Sequence, residues 1–287
     1  MQLITLTTDF GTNDYYVAAV KGAIYKKIQN VQIVDVSHDI QPFTPSIAAI
    51  QLKCLLQEFP EGTIHLVGVK SEPNLIEKKW LPHILQIGGQ YIIAPDNGFF
   101  GELLNNAPCD NLYCYDGILQ QPEAWTFALL KCYVDLAKNI VEGKALTSFC
   151  RKVETYEMML TSPPKFTEFS IIGKIIYIDK MGNTIINITK QLFDDVGKGA
   201  KFELYAGVNG IGFKPLTDVI SRNYFDGEDG NPIAIFNSNG LLEIAICNGT
   251  ESRGGGVSSL FGLRISQAVE IKFFPPGSRS NINELFT

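Results

Sequence analysis

The chain has 287 residues, of which 45% are apolar and 19% are charged, and its net charge at pH 7 is -6. This length is about twice that of a typical domain, so two domains are expected. The acidic balance, without a basic cluster, argues against a nucleic-acid partner. No apolar run approaches the roughly 20 residues that span a bilayer, and the first ten residues lack signal-peptide features. We therefore expect a cytoplasmic protein with no membrane partner.

The first half of the chain alternates strand-like and helix-like segments, which is typical of an α/β fold. Strands are predicted over residues 2–7, 31–37, 63–69, 83–89 and 90–95, and helices over 14–28, 45–58 and 125–141. Such alternation predicts a Rossmann-like domain with a mainly parallel sheet over residues 1–162.

The pattern changes after the adjacent prolines of TSPPKFTEF, because prolines interrupt helices and the following strands are short and separated by glycine turns. We predict a linker over residues 163–170 and an all-β C-terminal domain, a small barrel or sandwich, over 171–287.

The six cysteines form no CxxC pair, and none of the three histidines falls in a metal-binding spacing. Reduced thiols are therefore expected, with no metal site and no cofactor.

Two loops and one turn carry polar residues suited to small-molecule binding. Asp9 follows the first strand in TTDFG, where a carboxylate could accept hydrogen bonds from a ribose diol or could cap a helix or turn. The loop APDNGFFG follows another strand, although a simple turn explains it equally well. Asp179 and Asn183 flank the turn in DKMGNTIINI, where they could bind an amino acid or form an Asx turn.

Six stretches occur together in order: LTTDFGTNDYYVAAVKGAI, IVDVSHDIQPF, FPEGTIHLV, YIIAPDNG, IDKMGNTIINI, and NSNGLLEIAICNG followed by LFGLRISQAVEIKF. Together they resemble the S-adenosyl-L-methionine (SAM) hydroxide adenosyltransferase family, which includes relatives of fluorinase and chlorinase. The resemblance covers nearly the whole chain. It implies a homotrimer that binds SAM between subunits and hydrolyses it to adenosine and methionine, or replaces water by halide.

The resemblance also implies roles for individual residues. Asp9 would hold the ribose hydroxyls, and Phe43 would line the ribose and sulfonium region. Asp179 and Asn183 would bind the methionine ammonium and carboxylate. The further expected ligand residues are Ser238 at the methionine carboxylate and Asn248 and Gly249 near the adenine edges.

The sequence departs from the hydrolytic members at their Asp-Arg-His set. Lys70 replaces the aspartate of VDPGVG, the arginine-rich segment is replaced by LIEKKWLP, and Ala124 or a neighbour stands where FHGRD has histidine. A general base contributes about 10² to 10⁴ in rate, so binding could persist without hydrolysis.

Two hypotheses follow from this departure. The first is a SAM hydrolase whose water is activated by rearranged groups, with Lys70 as the catalytic candidate and Glu72, Glu77 and His83 as further candidates. The second is a catalytically impaired homologue that binds SAM or adenosine. A halogenase is disfavoured by the charged inserted segment, for which a solvated loop is the simplest interpretation.

Overall fold

The computed structural model describes residues 1–159, 163–206, 215–249 and 255–274. The chain divides into two compact units, Met1–Thr161 and Ser162–Thr287. Residue 162, at the end of the expected first domain, lies outside the described residues, as do residues 275–287 of the expected second domain.

The N-terminal unit is an α/β unit with a seven-stranded sheet in the order β2-β1-β3-β5-β4-β6-β7. Its strands are β1 (Gln2–Thr8), β2 (Val31–Ser37), β3 (Ile64–Gly68), β4 (Pro82–Ile87), β5 (Gln90–Pro95), β6 (Leu112–Cys114) and β7 (Arg151–Val153). Strands β2, β1, β3 and β5 run parallel, whereas β4, β6 and β7 pair antiparallel. The sheet is therefore mixed, and the predicted parallel arrangement holds for its first four strands only, because the short β4–β5 connection forms a hairpin and reverses the direction of the chain.

Helices cover this sheet. They are α1 (Tyr16–Lys27), α2 (Pro45–Leu55), α3 (Phe99–Leu103) and α4 (Val134–Val141), with a π-helical turn at Leu129–Tyr133 before α4. Three of them lie within predicted helical segments, whereas α3 lies in a segment expected as a loop. Helix α1 buries Val17, Val20 and Ile24, which share one face at helical spacing. The π-helical turn packs directly against Gly68. A Cβ at this position would lie only 2.5 Å from a side-chain carbon of Leu129, so a larger residue would not fit.

The C-terminal unit is an antiparallel sheet in the order β11-β14-β9-β10-β13-β12, with β8 paired to β9. Its strands are β8 (Lys165–Phe166), β9 (Ser170–Ile178), β10 (Thr184–Thr189), β11 (Lys201–Ala206), β12 (Pro232–Phe236), β13 (Leu241–Ile246) and β14 (Ala268–Phe274). Strand β8 lies within the segment expected as a linker. Two short helices, α5 (Lys190–Gly197) and α6 (Val257–Leu260), flank the sheet.

The segment after β11 reaches both edge strands of this sheet. Thr217 forms an isolated bridge with Leu204 of β11, and Ile220 forms another with Ala234 of β12. The two edges are thus linked through single bridges, without a regular strand between them in the described part of that segment.

No helix in the described ranges combines the length and the apolar character needed to cross a membrane.

Candidate functional site

The parallel strands of the N-terminal unit bring four loops to one edge of the sheet. Strands β2, β1, β3 and β5 are neighbours, so the loops after them meet at their shared carboxyl edge. This edge is where open α/β sheets bind ligands. The loops carry Phe43, Asp9, Lys70 and Asn97.

Asp9 connects three of these loops. Its Oδ2 accepts a hydrogen bond from the backbone N–H of Phe43 at 3.0 Å and a longer one from that of Lys70 at 3.4 Å. Helix α1 begins at Tyr16 with Tyr15 as its N-cap, so Asp9 does not cap this helix. Three residues singled out from the sequence therefore lie together.

Both N–H donors belong to residues with left-handed backbone. Phe43 has φ 60° and Lys70 has φ 47°, values that non-glycine residues adopt uncommonly. Asn97 adds a further restraint, because its Nδ2 donates to the carbonyls of Val69 and Lys70 at 3.1 and 3.0 Å. The loop after β3 is therefore held from both Asp9 and Asn97.

An aromatic cluster supports the loop that carries Asp9. Phe10 packs against Tyr16 and Phe127, with ring centroids 5.8 and 5.6 Å apart, and Tyr16 also contacts Phe127. Phe127 ends the segment in which the hydrolases' histidine was expected. Ala124 of that segment is fully buried in the core, so position 124 has no polar group to offer a ligand.

Lys70, the catalytic candidate, directs its amine at an aromatic ring. Its Nζ lies 3.9 Å from the ring centroid of Trp80, in cation–π geometry. Trp80 belongs to the inserted segment, where Lys78 and Trp80 also have positive φ and Asn74 bridges to Lys79. An ammonium group has no acceptor site, so this geometry fits a positioned cation rather than a base.

Glu72 has the properties expected of a base. Its side chain accepts a hydrogen bond from the Ser71 hydroxyl at 3.3 Å. Burial raises the pKa of the Glu72 carboxyl, and the negative charge of Asp9 contributes a smaller rise. Carboxyls with a perturbed pKa are frequent among catalytic acids and bases, so Glu72 is a candidate base. Glu77, by contrast, is exposed and pairs with Lys79 at 2.9 Å, and His83 lines a different cavity.

In the C-terminal unit, Asp179 and Asn183 are hydrogen-bonded to each other. Asp179 Oδ1 accepts from the backbone N–H of Met181 and Asn183 at 2.8 and 2.9 Å, and Oδ2 accepts from Asn183 Nδ2 at 3.1 Å. The Asx turn, which was the alternative to amino-acid binding, is therefore present, and it places both polar side chains side by side. Gly256 packs on this turn, since a Cβ there would lie 2.4 Å from the Met181 carbonyl oxygen.

Glu243 is a buried carboxylate beside this turn that was not predicted from the sequence. Only 4% of it is exposed, and it accepts hydrogen bonds from Tyr224 Oη at 2.8 Å and Asn237 Nδ2 at 3.2 Å. Burial raises the pKa of Glu243, while hydrogen bonds from these residues and from Asn183 oppose that rise. Burial and the bond to Glu243 raise the pKa of Tyr224 to about 12. The sequence feature that could have identified Glu243 is its position as a charged residue inside the apolar run LLEIAI.

The remaining predicted residues lie in two turns. Ser238 is exposed in the β12–β13 turn, next to Asn237, whose side chain reaches Glu243. Asn248 has φ 56° and bonds to Asp229, and Gly249 donates its N–H to the Ile246 carbonyl. Ser238 is thus the chain neighbour of a residue that bonds to Glu243, beside the Asp179 turn, whereas the described hydrogen bonds of Asn248 and Gly249 lead to Asp229 and Ile246.

Known proteins resemble this chain along most of its length. Residues 4–150 match the family model of the SAM hydroxide adenosyltransferase N-terminal domain, and residues 173–270 match that of the C-terminal domain. An (R)-S-adenosyl-L-methionine hydrolase from Methanocaldococcus jannaschii is 30% identical, covering 85% of this chain and 88% of its own. A fluorinase from Actinopolyspora mzabensis is 26% identical, covering 85% and 90%. An uncharacterized conserved protein from Thermotoga maritima has the same fold, with a TM-score of 0.79 at 22% identity over 94% of this chain and 99% of its own.

Proposed function

The chain belongs to the SAM hydroxide adenosyltransferase family, and from this premise we propose that it binds S-adenosylmethionine and hydrolyses it to adenosine and L-methionine. The names of its relatives, hydrolase and fluorinase, support SAM-using chemistry in general. The choice of water as nucleophile rests on the residues around Asp9.

The observation that carries the proposal is the convergence on Asp9. The hydrogen bonds from Phe43 and Lys70 both end on Oδ2, and within the described residues no hydrogen bond reaches Oδ1. A carboxylate oxygen in this position can accept from both hydroxyls of a ribose. Phe43 is 70% exposed beside it and offers its ring to the sugar and sulfonium.

The methionine end of SAM would be held by the C-terminal unit. Asp179 is suited to the ammonium, while Asn183 and Ser238 can donate to the carboxylate. Asn248 and Gly249 would contact adenine through the backbone groups of their turn. We propose that these residues complete the site of a neighbouring subunit in a homotrimer, and that the two bridges of the segment after β11 close the C-terminal sheet into a barrel.

Hydrolysis needs one activated water. Its oxygen attacks the ribose C5′, the C5′–S bond breaks with its electron pair leaving on sulfur, and the water proton passes to Glu72. The sulfonium becomes a neutral thioether, so positioning and activation of the water are the main requirements. Glu72 thereby takes the role for which Lys70 was the candidate, two residues further along the same loop.

A second function is favoured by one observation. The aspartate and histidine positions of the hydrolases hold a cation stacked on Trp80 and a buried alanine. A homologue that binds SAM or adenosine without turnover would have these features if Glu72 does not reach the water.

One experiment separates the two functions. Purified protein is incubated with SAM, adenosine is followed by chromatography, and SAM binding is measured by calorimetry. Hydrolysis predicts adenosine from wild type and from Glu77→Gln, a matched exposed control, but about 10² to 10⁴ less from Glu72→Gln. SAM binding without adenosine release would support the second function. Neither SAM binding nor adenosine release would refute both functions.

The assembly is tested separately. Light scattering should give three times the 31.7 kDa chain mass. A mass of one chain would contradict the proposed trimer.

A further inference from the structure

A polar cavity of about 230 Å³ lies in the N-terminal unit, where the inserted segment covers the antiparallel part of the sheet. Its walls include Lys78 and Trp80 of the insert, His83 of β4, Asp96 after β5, and Arg151 of β7. Pockets for drug-sized ligands are usually about 300–1,000 Å³, so this cavity suits a smaller group.

A buried imidazole and a carboxyl face each other in this cavity without a direct hydrogen bond. His83 Nε2 lies 3.9 Å from Asp96 Oδ2, which is beyond hydrogen-bond distance. His83 Nδ1 is 2.9 Å from the Leu81 carbonyl, which only accepts, so Nδ1 carries the proton. Asp96 Oδ1 already accepts from the backbone N–H of Glu157 at 2.8 Å. A ligand oxygen that contacts both atoms would lie to one side of the line that joins them, at about 2.8 Å from each.

Burial shifts the pKa values of His83 and Asp96 toward their uncharged forms. It lowers the pKa of His83 and raises the pKa of Asp96, while each partner's charge opposes the shift of the other. A neutral imidazole with its proton on Nδ1 presents a lone pair at Nε2, and an ionised Asp96 presents only acceptors. Both facing atoms are then acceptors, so a ligand oxygen must carry a proton to bond to either one, and it needs two protons to bond to both.

The rest of the lining favours an anion. Lys78, Lys79 and Arg151 contribute cations against Asp96 and Glu157. The Nε of Arg151 lies 3.4 Å from the Asp116 carboxylate. The guanidinium group has further N–H donors in a planar arrangement that suits an oxyanion.

We propose that this cavity binds a small oxyanion that keeps a proton at neutral pH, inorganic phosphate, with its P–OH donating to Asp96 and its charged oxygens on Arg151 and Lys78. Inorganic phosphate keeps a proton at neutral pH, whereas sulfate has none to donate and would place an oxygen against the Asp96 carboxylate. The site should therefore select phosphate over sulfate, although the two ions have similar size.

The site is independent of SAM but adjoins the candidate site. Trp80 lines the cavity and also contacts the Lys70 amine, and Asn97, which follows Asp96, holds the Lys70 carbonyl. Binding can be tested whether or not the protein turns SAM over.

The test titrates the full chain with inorganic phosphate, glycerol 3-phosphate or sulfate at about neutral pH, using calorimetry and the NMR signals of the three histidines. Phosphate should shift the His83 signals and leave those of His38 and His65 in place. Sulfate should bind roughly tenfold to a hundredfold more weakly, since one charged hydrogen bond is replaced by a repulsive contact. Glycerol 3-phosphate should also bind more weakly than inorganic phosphate, because a phosphate monoester has a second pKa of about 6 and has mostly lost its last proton at neutral pH. Binding of this ester as strong as that of inorganic phosphate would contradict the role of the P–OH.

Two variants sharpen the test. Arg151→Gln should weaken phosphate by roughly tenfold or more, while Arg222→Gln, the charge-matched control in the other unit, should not. Asp96→Asn can still accept from the Glu157 N–H and adds a donor, so it should gain sulfate binding. Equal affinity of wild type for phosphate and sulfate, or no binding of inorganic phosphate, would overturn the proposal.

Discussion

Replacement of Asp9 by alanine should weaken both the N-terminal unit and its ligand site. The bond from Phe43 at 3.0 Å is of ordinary length, and the bond from Lys70 at 3.4 Å is long. A hydrogen bond to a charged group contributes about 1.5–3 kcal/mol, so with partial exposure we expect a loss of about 2 kcal/mol. The left-handed backbone of Phe43 and Lys70, which costs about 1–2 kcal/mol per residue, is then no longer held by this carboxylate.

Urea unfolding and SAM calorimetry measure the two effects separately. Asp9→Asn keeps one acceptor for the Phe43 N–H, so it should lose less than about 1 kcal/mol of stability. It should still bind SAM roughly tenfold or more weakly, because a neutral amide accepts less strongly from the ribose. Asp14→Ala, an exposed change in the same loop, is the control. Asp9→Ala protein as stable as this control, with wild-type SAM affinity, would refute the reasoning.

Three further changes test other parts of the molecule. A base must be ionised, so adenosine release should fall as pH drops through the raised pKa of Glu72, and Glu72→Gln should lack this acid limb. Glu243 has a raised folded-state pKa, so the stability it contributes is present below its unfolded pKa and is lost as pH rises through the folded value. Denaturation series at several pH values should show this loss in wild type and not in Glu243→Gln. Gly256→Ala should destabilise by about 1–3 kcal/mol in urea unfolding, because its Cβ would meet the Met181 carbonyl; wild-type stability would contradict that packing.

Most strands and helices could be predicted because their patterns are local. Helix α2 begins at Pro45, as predicted from the tolerance of proline in a first turn. The sheet was harder to predict, because strand direction depends on pairing and not on periodicity. HILQIGGQYIIAP reads as two apolar strands in any sheet, and only the glycine turn between them marks the hairpin that makes the sheet mixed.

The candidate site was predictable where residues follow strands and harder to predict where contacts are tertiary. Asp9 and Phe43 could be placed at one sheet edge from the order of elements. The stacking of Lys70 on Trp80 depends on the fold of the inserted segment, which has no strand or helix pattern to fix it. Glu243 was missed because a single carboxylate in an apolar strand gives no sign of its partners until Tyr224 and Asn237 are brought to it.

The backbone conformation at the carboxyl edge bears on whether the departure from the Asp-Arg-His set is a loss or a rearrangement. Phe43, Lys70, Lys78 and Trp80 all have positive φ, and none is glycine. Such conformations cost free energy and persist when surrounding contacts impose them, which is common at functional sites. Here Asp9 and Asn97 hold the loop, and Trp80 holds the Lys70 side chain. A loop that no longer held a ligand would have no need to keep this strain, so the geometry favours an edge that still binds one. The adenosine assay on wild type and Glu72→Gln then decides whether that edge also hydrolyses its ligand.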